Sequence, residues 1–407
     1  MVGDLTKDVL EGTFYLIEHP EQESAFHYGL EGSYPRWGTA QDLGSAALAM
    51  SAEELAPWRR PAASVQEFLA YVSRLPIWDS EPNYEDVSGL LRAVATSVFR
   101  GINDPFANSL LSTHDLSSRL VALDFPEGHR YFQMKLNQQL SVVEDFIGWV
   151  VAKRIRIEPQ LLGYEAFATA IKVLRSRQHK VHFVTTNYDC NIERLLEKLR
   201  VAFHDGFEAR AVYDDDERPW RLGNNLKFFS RRTSAVVKLH GSINWFVCHD
   251  MNGSGAATYA VSPCDLPPEA GFGTYLREGP WHFTPMHSPE MLRGSVSKAH
   301  EYSYGIYAQL LSAFETILDR ADAVVVAGFG WNDEGLATRL LRFAHSNGKR
   351  LLVVDGSQPI PAVARVPDLD ARAIGDVGQG RHVSVYRKHM SALEPTELLP
   401  LILELMQ

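Results

Sequence analysis

Residues 181–190 read VHFVTTNYDC. Val181, Phe183 and Val184 have the β-branched and aromatic side chains of a core strand. Five hydrogen-bonding side chains then arrive together, Thr185, Thr186, Asn187, Tyr188 and Asp189, before helical spacing resumes in NIERLLEKL (191–199). A strand, a polar loop and a helix make the front of a βαβ unit. Ligands of open α/β sheets bind at such loops, outside the carboxyl ends of the strands.

Working outward, the same alternation recurs. A helix, YEAFATAIKVLRSRQ (164–178), precedes the strand, and SAVVKLHGSINWF (234–246) supplies another strand ending in a His-Gly-Ser turn. Further on, GIYAQLLSAFETILDRA (305–321) is helix, DAVVVAGFGW (322–331) strand, DEGLATRLLRFAHSNG (333–348) helix and RLLVVDGS (350–357) strand; HVSVYRK (382–388) and a last helix over 392–405 follow. Strands alternating with helices predict an α/β fold with a Rossmann-like parallel sheet and helices on both faces. The acidic run YDDDERPW (213–220) is expected to be a solvated loop, and the Gly- and Pro-rich 248–280 a long surface connection.

Upstream the texture differs. SVQEFLAYVSRL (64–75), YEDVSGLLRAVATSVFRGI (84–102) and HRYFQMKLNQQLSVVEDFIGWVVAKRI (129–155) carry helical spacing with few strand signals. The expected organisation is therefore a core of 1–50 and 161–407 with a large helical insertion at 51–160.

Bulk chemistry narrows the classes. The formal net charge is −10 over 407 residues, so no direct nucleic-acid or anionic-membrane partner is expected. The densest basic stretches, RSRQHK (175–180) and SRRTSAVVK (230–238), are short, and the first sits where a helix ends and cations suit its dipole. Cys190, Cys248 and Cys264 form no C-x-x-C pair, which excludes a zinc ribbon, and no metal is expected. The N-terminus is acidic and lacks an apolar core, and no run approaches the roughly 18 apolar residues of a membrane span. A cytoplasmic location is expected.

Three strand ends carry unusual chemistry. The first is TTNYD (185–189). The second is KLHGS (238–242), where His240 precedes Gly241 and Ser242. The third is AGFGWND (327–333), where Gly328, Phe329 and Gly330 lie beside the next helix, and Asn332 or Asp333 would cap it. Amides at such a helix start suit a phosphate. One βαβ step later Asp355 ends a strand, where a carboxylate can bind ribose hydroxyls. Singly, each has a plain structural reading: a helix cap, a satisfied histidine, a tight turn. Together, on one edge of one sheet, they point to a nucleotide.

In that order and spacing, TTNYD, KLHGSINW and GFGWND…VVD resemble the sirtuin-like domain of prokaryotic NAD-consuming proteins, many of which act in antiphage defence. The resemblance covers 160–400, and SVQEFLAYVSRL resembles an early helix of that family. Sirtuin deacylases carry a four-cysteine zinc module that this chain lacks, which counts against protein deacylation. The resemblance implies NAD as substrate, with Asn187 positioning the nicotinamide ribose and water, Asp189 contacting the carboxamide and His240 acting as base. Gly328, Phe329 and Gly330 would line the adenosine side, with Asp355 near its ribose, and Tyr188 would pack or lie over the base; Thr186, Gly241, Ser242 and Asp333 would also bind the NAD. It also implies a homo-oligomer, with an ATPase or another defence-system protein as a partner.

Domains of this kind open on a strand and a G-A-G-x-S-type loop that holds the NAD diphosphate. No G-x-G occurs in residues 1–50, and GLEGSYPRWG (29–38), without an apolar strand before it, is expected to be a loop. The first strand and Gly-rich loop are therefore expected to be missing, through a start placed too late or through loss of the first βα unit. The leading expectation is an NAD+ hydrolase releasing nicotinamide and ADP-ribose. The alternative is a non-catalytic NAD- or ADP-ribose-binding or scaffold subunit; an ADP-ribosyltransferase or deacylase ranks lower. A hydride-transferring dehydrogenase lacks its G-x-G-x-x-G fingerprint.

Overall fold

A computed structural model describes residues 25–28 and 35–38, short segments between 68 and 155, and most of 164–264, 276–292, 298–356 and 374–406. In chain order the strands are β1 (Ala25–Tyr28), β2 (Pro35–Gly38), β3 (Phe183–Thr185), β4 (Phe203–His204), β5 (Ala211–Tyr213), β6 (Pro219–Gly223), β7 (Ser234–Lys238) and β8 (Trp245–Asp250). They continue as β9 (Ala257–Val261), β10 (Leu276–Glu278), β11 (Trp281–Pro285), β12 (Ala323–Ala327), β13 (Arg350–Val354), β14 (Ile374–Asp376) and β15 (Val383–Tyr386). The helices used below are α1 (Tyr164–Ser176), α2 (Asn191–Lys198), α3 (Lys298–Glu301), α4 (Gly305–Arg320), α5 (Glu334–His345) and α6 (Leu398–Leu405). The chain divides into two compact units: Met1–Glu158, Arg210–Leu222 and Ile243–Ser297 form one, and Pro159–Ala209, Gly223–Ser242 and Lys298–Gln407 the other.

The second unit is α/β, with parallel pairing throughout its sheets. Phe183 lies opposite Val236 and Thr185 opposite Lys238, and β4 pairs with the other edge of β7. β12, β13, β15 and β14 make a second parallel sheet in that order. Among the described residues, the single sheet expected from the alternation is thus two parallel sheets. One helix serves both. Ala166, Ala170 and Leu174 of α1 pack with Leu352 and Val354 of β13 and Leu398, Ile402 and Leu405 of α6. Ile171 of α1 joins Leu195 and Leu196 of α2 and Val236 of β7, and Phe167 touches both clusters.

Side chains alternate across a strand, so Leu351 and Val353, as buried as Leu352 and Val354, are covered from the opposite face. α5 packs against β13 and α4 against β7. Both faces of the central strands are therefore closed, which is why RLLVV and SAVVK read as unbroken apolar runs rather than alternating ones.

In the first unit, β10, β11, β8, β9, β6 and β5 close into a barrel. Val212, Trp220, Phe246, Cys248, Ala260 and Leu276 form its core. This overturns the solvated-loop reading of 213–220 at Asp214 and Trp220, which are buried, and the surface-connection reading of 248–280 at its strands β8, β9 and β10; residues 215–216, 251–256, 265–275 and 279–280 lie outside the described residues. Asp214 is buried and accepts from Arg218 Nε at 2.7 Å, Arg218 N at 2.8 Å and Trp220 Nε1 at 3.0 Å, so its charge is satisfied where the chain turns from β5 to β6. Burial would raise the Asp214 carboxyl, but those donors hold it below its ordinary value. Strands of three to six residues between Gly, Pro and charged residues carry weak sequence signals, and closure supplies the order they lack alone.

Residues 35–38, expected as loop, are strand β2, antiparallel to β1. Of the helical insertion expected at 51–160, residues 68–72 and 85–91 are helical, with Phe68, Leu69, Val72, Leu90 and Leu91 buried; most of the rest lies outside the described residues. Among the described residues no helix is long and apolar enough to cross a membrane.

Candidate functional site

The site is built where β3 and β7, neighbours in one sheet, both end. Past β3 the chain turns at once: Asn187 N–H donates to Thr185 Oγ1 at 3.0 Å, and Asn191 N–H to Asp189 Oδ1 at 2.9 Å. These local side-chain bonds replace the strand ladder and set the start of α2. Asn187 is exposed, Thr186 and Asp189 half-buried and Tyr188 buried.

Past β7, Gly241 N–H donates to the Lys238 carbonyl at 3.0 Å, closing a tight turn with Gly241 at φ +81°. A left-handed backbone favours glycine. Ser242 Oγ, on the far side of that turn, donates to the Tyr188 carbonyl at 3.1 Å. The turn and the polar loop are thereby tied together, with the buried His240 ring 6.3 Å from the Tyr188 ring between centroids.

The third element is the start of α5. Asp333 is its N-cap, with Oδ1 accepting from Leu336 N–H at 3.1 Å. Its other oxygen, Oδ2, lies 3.2 Å from His240 Nε2 and accepts from Tyr302 Oη at 3.0 Å. Burial works to raise the Asp333 carboxyl, but the bonds from His240, Leu336 and Tyr302 outweigh it and hold the group below its ordinary value. The Tyr302 hydroxyl is pushed far up, by burial first and by Asp333 second. The core of the site is therefore a carboxylate shared by an imidazole and a phenol.

The turn into α5 is strained. Gly328 has φ +65° and Trp331, buried, has φ +58°. Phe329 packs edge-on to Trp331 at 5.1 Å. Left-handed backbone at a bulky residue costs about 1–2 kcal/mol and clusters at functional sites. Gly330 is exposed. Asp355 follows β13, with its N–H donating to the Tyr386 carbonyl at 3.1 Å. The segment after β15 reaches the same strand ends, Met390 Sδ facing Gly328 and the His389 ring lying over Gly356.

Tyr188, His240, Ser242 and Asp333 are thus brought into direct contact. Asn187 and Asp189 share the loop of Tyr188, and Gly328 and Phe329 lead into Asp333. The structure adds residues absent from the expected set. Lys238, fully buried, donates through Nζ to Glu193 Oε1 at 2.9 Å and to the Asp189 carbonyl. A lysine inside the apolar run AVVKL was its visible signal. Tyr164 at the start of α1 is pushed up to about 12, by burial first and then by Asp189 and Glu193, against hydrogen bonding to Asn191 and Asn187. Tyr302 lies 31 residues from Asp333, and no motif in its own stretch of sequence marks it.

No protein-family model matches the chain, and no curated protein matches it.

Proposed function

We propose that the chain is an NAD+ hydrolase whose α/β unit is a Rossmann-like nucleotide-binding core. The observation that carries this reading is the buried His240, hydrogen-bonded to the Asp333 carboxylate and set against Tyr188 of the polar 185–189 loop, at the ends of two paired parallel strands. Ligands bind at this edge of such sheets. An imidazole beside a carboxylate is a suitable base near neutral pH.

Water attacks C1′ of the nicotinamide ribose while the C–N bond breaks. Its electron pair leaves with nicotinamide, and the proton lost by water passes to His240. ADP-ribose and nicotinamide are the products. Asn187, exposed on the loop, holds the water and ribose, and Asp189 meets the carboxamide. Thr186 and Ser242 flank that side, and Gly328, Phe329, Gly330 and Asp355 take the adenosine side. The work is mostly positioning and charge stabilisation, because pyridinium is already a good leaving group. A role as a regulated defence effector, acting as a homo-oligomer with an ATPase or another defence-system protein as partner, goes with this reading and rests on the family resemblance.

Nicotinamide release from NAD+ by the purified chain tests it. Turnover lost in both His240→Ala and Asn187→Ala is the expected result; full activity in either removes that residue from the mechanism. One observation favours a second reading, a non-catalytic NAD- or ADP-ribose-binding subunit. The side chains of His240 and Asp333 are only 7% and 6% exposed, as a purely structural pair would be. Binding of ADP-ribose without any turnover would favour that reading.

A further inference from the structure

We infer that Asp333 is a positioning residue for His240, holding the proton on Nε2 so that Nδ1 is the basic nitrogen, with Tyr302 fixing the carboxylate. This rests on the proposed role of His240 as base. A helix cap needs one acceptor oxygen, and serine or asparagine serves as well as aspartate. Asp333 spends Oδ1 on that task and turns Oδ2 on His240 at 3.2 Å and Tyr302 at 3.0 Å. The second oxygen is what the cap does not explain.

An ionised carboxylate only accepts hydrogen bonds, so Nε2 must carry the proton. A neutral imidazole has one N–H, which leaves the lone pair on Nδ1. The Tyr302 hydroxyl, donating to the same oxygen, keeps that oxygen from rotating away. The rings of Tyr188 and Tyr302 both stand 6.3 Å from the His240 ring, tilted by 40° and 37°. Packed near the imidazole, they oppose a flip that would exchange the two nitrogens. Among the described residues, the titratable groups shown in contact with His240 include Asp333, Tyr188 and Tyr302; beyond Tyr302 stands Arg339, paired with Glu315 at 2.6 Å.

Nitrogen NMR of the full chain with 15N-labelled histidine tests this directly, with the His240 signal identified by its loss in His240→Gln. The wild-type chain at neutral pH is expected to show a neutral ring protonated on Nε2. Asp333→Asn keeps the α5 cap, yet its amide can donate to Nε2, so the ring is expected to move toward the Nδ1-protonated form. Nicotinamide release should then fall by roughly 10²–10⁴ in kcat, with KM little changed. Tyr302→Phe should keep the Nε2 tautomer and lower kcat by roughly tenfold, the scale of one hydrogen bond of about 1.4 kcal/mol. A wild-type ring protonated on Nδ1 or on both nitrogens overturns the inference, and so does an unchanged tautomer in Asp333→Asn. The wild-type spectrum decides even where a variant fails to fold. A tautomer shift in a chain that never cleaves NAD+ would sink the hydrolase reading and leave the positioning role standing.

Discussion

Lys238 Nζ lies 2.9 Å from Glu193 Oε1 with side chains 0% and 7% exposed, a buried ion pair beneath the loop that carries Asn187 and Asp189. Removing one member of such a pair strands the other charge, at a cost of about 3–5 kcal/mol. Lys238→Met is therefore expected to lower the urea midpoint sharply. Because Lys238 also holds the Asp189 carbonyl, the loop should loosen with it. Lys238→Met with Glu193→Leu should recover much of the loss, since replacing both charges by apolar groups is often neutral. A single variant as stable as the wild type would mean that the pair contributes nothing.

The sheet of β3, β7 and β4 should weaken in mild acid. His182 Nδ1 accepts from Ala235 N–H at 3.1 Å, which requires the neutral ring. Burial first, then Lys180, His204 and Arg320, lower its pKa to about 4 from 6.5. In this window the unfolded chain binds more protons than the folded one, so stability falls as pH falls. The contribution is complete above 6.5 and is lost between 6.5 and about 4. His204 is lowered too, chiefly by burial, and adds in the same direction. His182→Asn should flatten the dependence of the melting temperature on pH in this range; an unchanged slope would assign it to other groups.

Gly328 separates a conformational requirement from a ligand requirement. Among the described residues a Cβ there would meet only Met390 Sδ at 3.9 Å, so Gly328→Ala is limited by its φ of +65° and should cost about 1–2 kcal/mol. If a dinucleotide passes close to this turn, the methyl group lies in its path. Calorimetry should then show ADP-ribose binding weakened more than tenfold in a folded protein. Equal affinity in variant and wild type would move the adenosine side elsewhere.

Much of the α/β unit was legible because its central strands, RLLVV and SAVVK, are closed on both faces and read as apolar runs. AVVVA, half-buried along most of its length, reads as the same kind of run. The barrel was not legible. Its strands are short, and Asp214, Arg218 and Trp220 satisfy one another across a turn, so a charged run hides a buried one. At the site, the residues ending β3 and β7 could be read from one window each. Asp333 was readable as a cap, yet its bond to His240 spans 93 residues and that to Tyr302 spans 31. Such partners are chosen by tertiary packing, and no local pattern encodes them.

Asn187 offers the cleanest test of the catalytic assignment, because it is the exposed member of the set. Its local bond to Thr185 Oγ1 uses the backbone N–H, which Asn187→Ala retains. The side-chain bond to Tyr164 is lost, at a cost of about 0.5–1.5 kcal/mol, so the fold should be kept with a small loss of stability. His240→Ala is different. It removes a partner of the buried Asp333 carboxylate, leaving Tyr302 and the Leu336 N–H to satisfy it, and should cost about 1–3 kcal/mol. If both variants lose nicotinamide release, the Asn187 result is the less confounded by stability. Asn187→Ala is therefore expected to stay folded with only a small drop in melting temperature and lose at least about a hundredfold in kcat, the scale of one positioned catalytic group. A folded variant that cleaves NAD+ at the wild-type rate would take Asn187 out of the chemistry and leave the polar loop a structural turn.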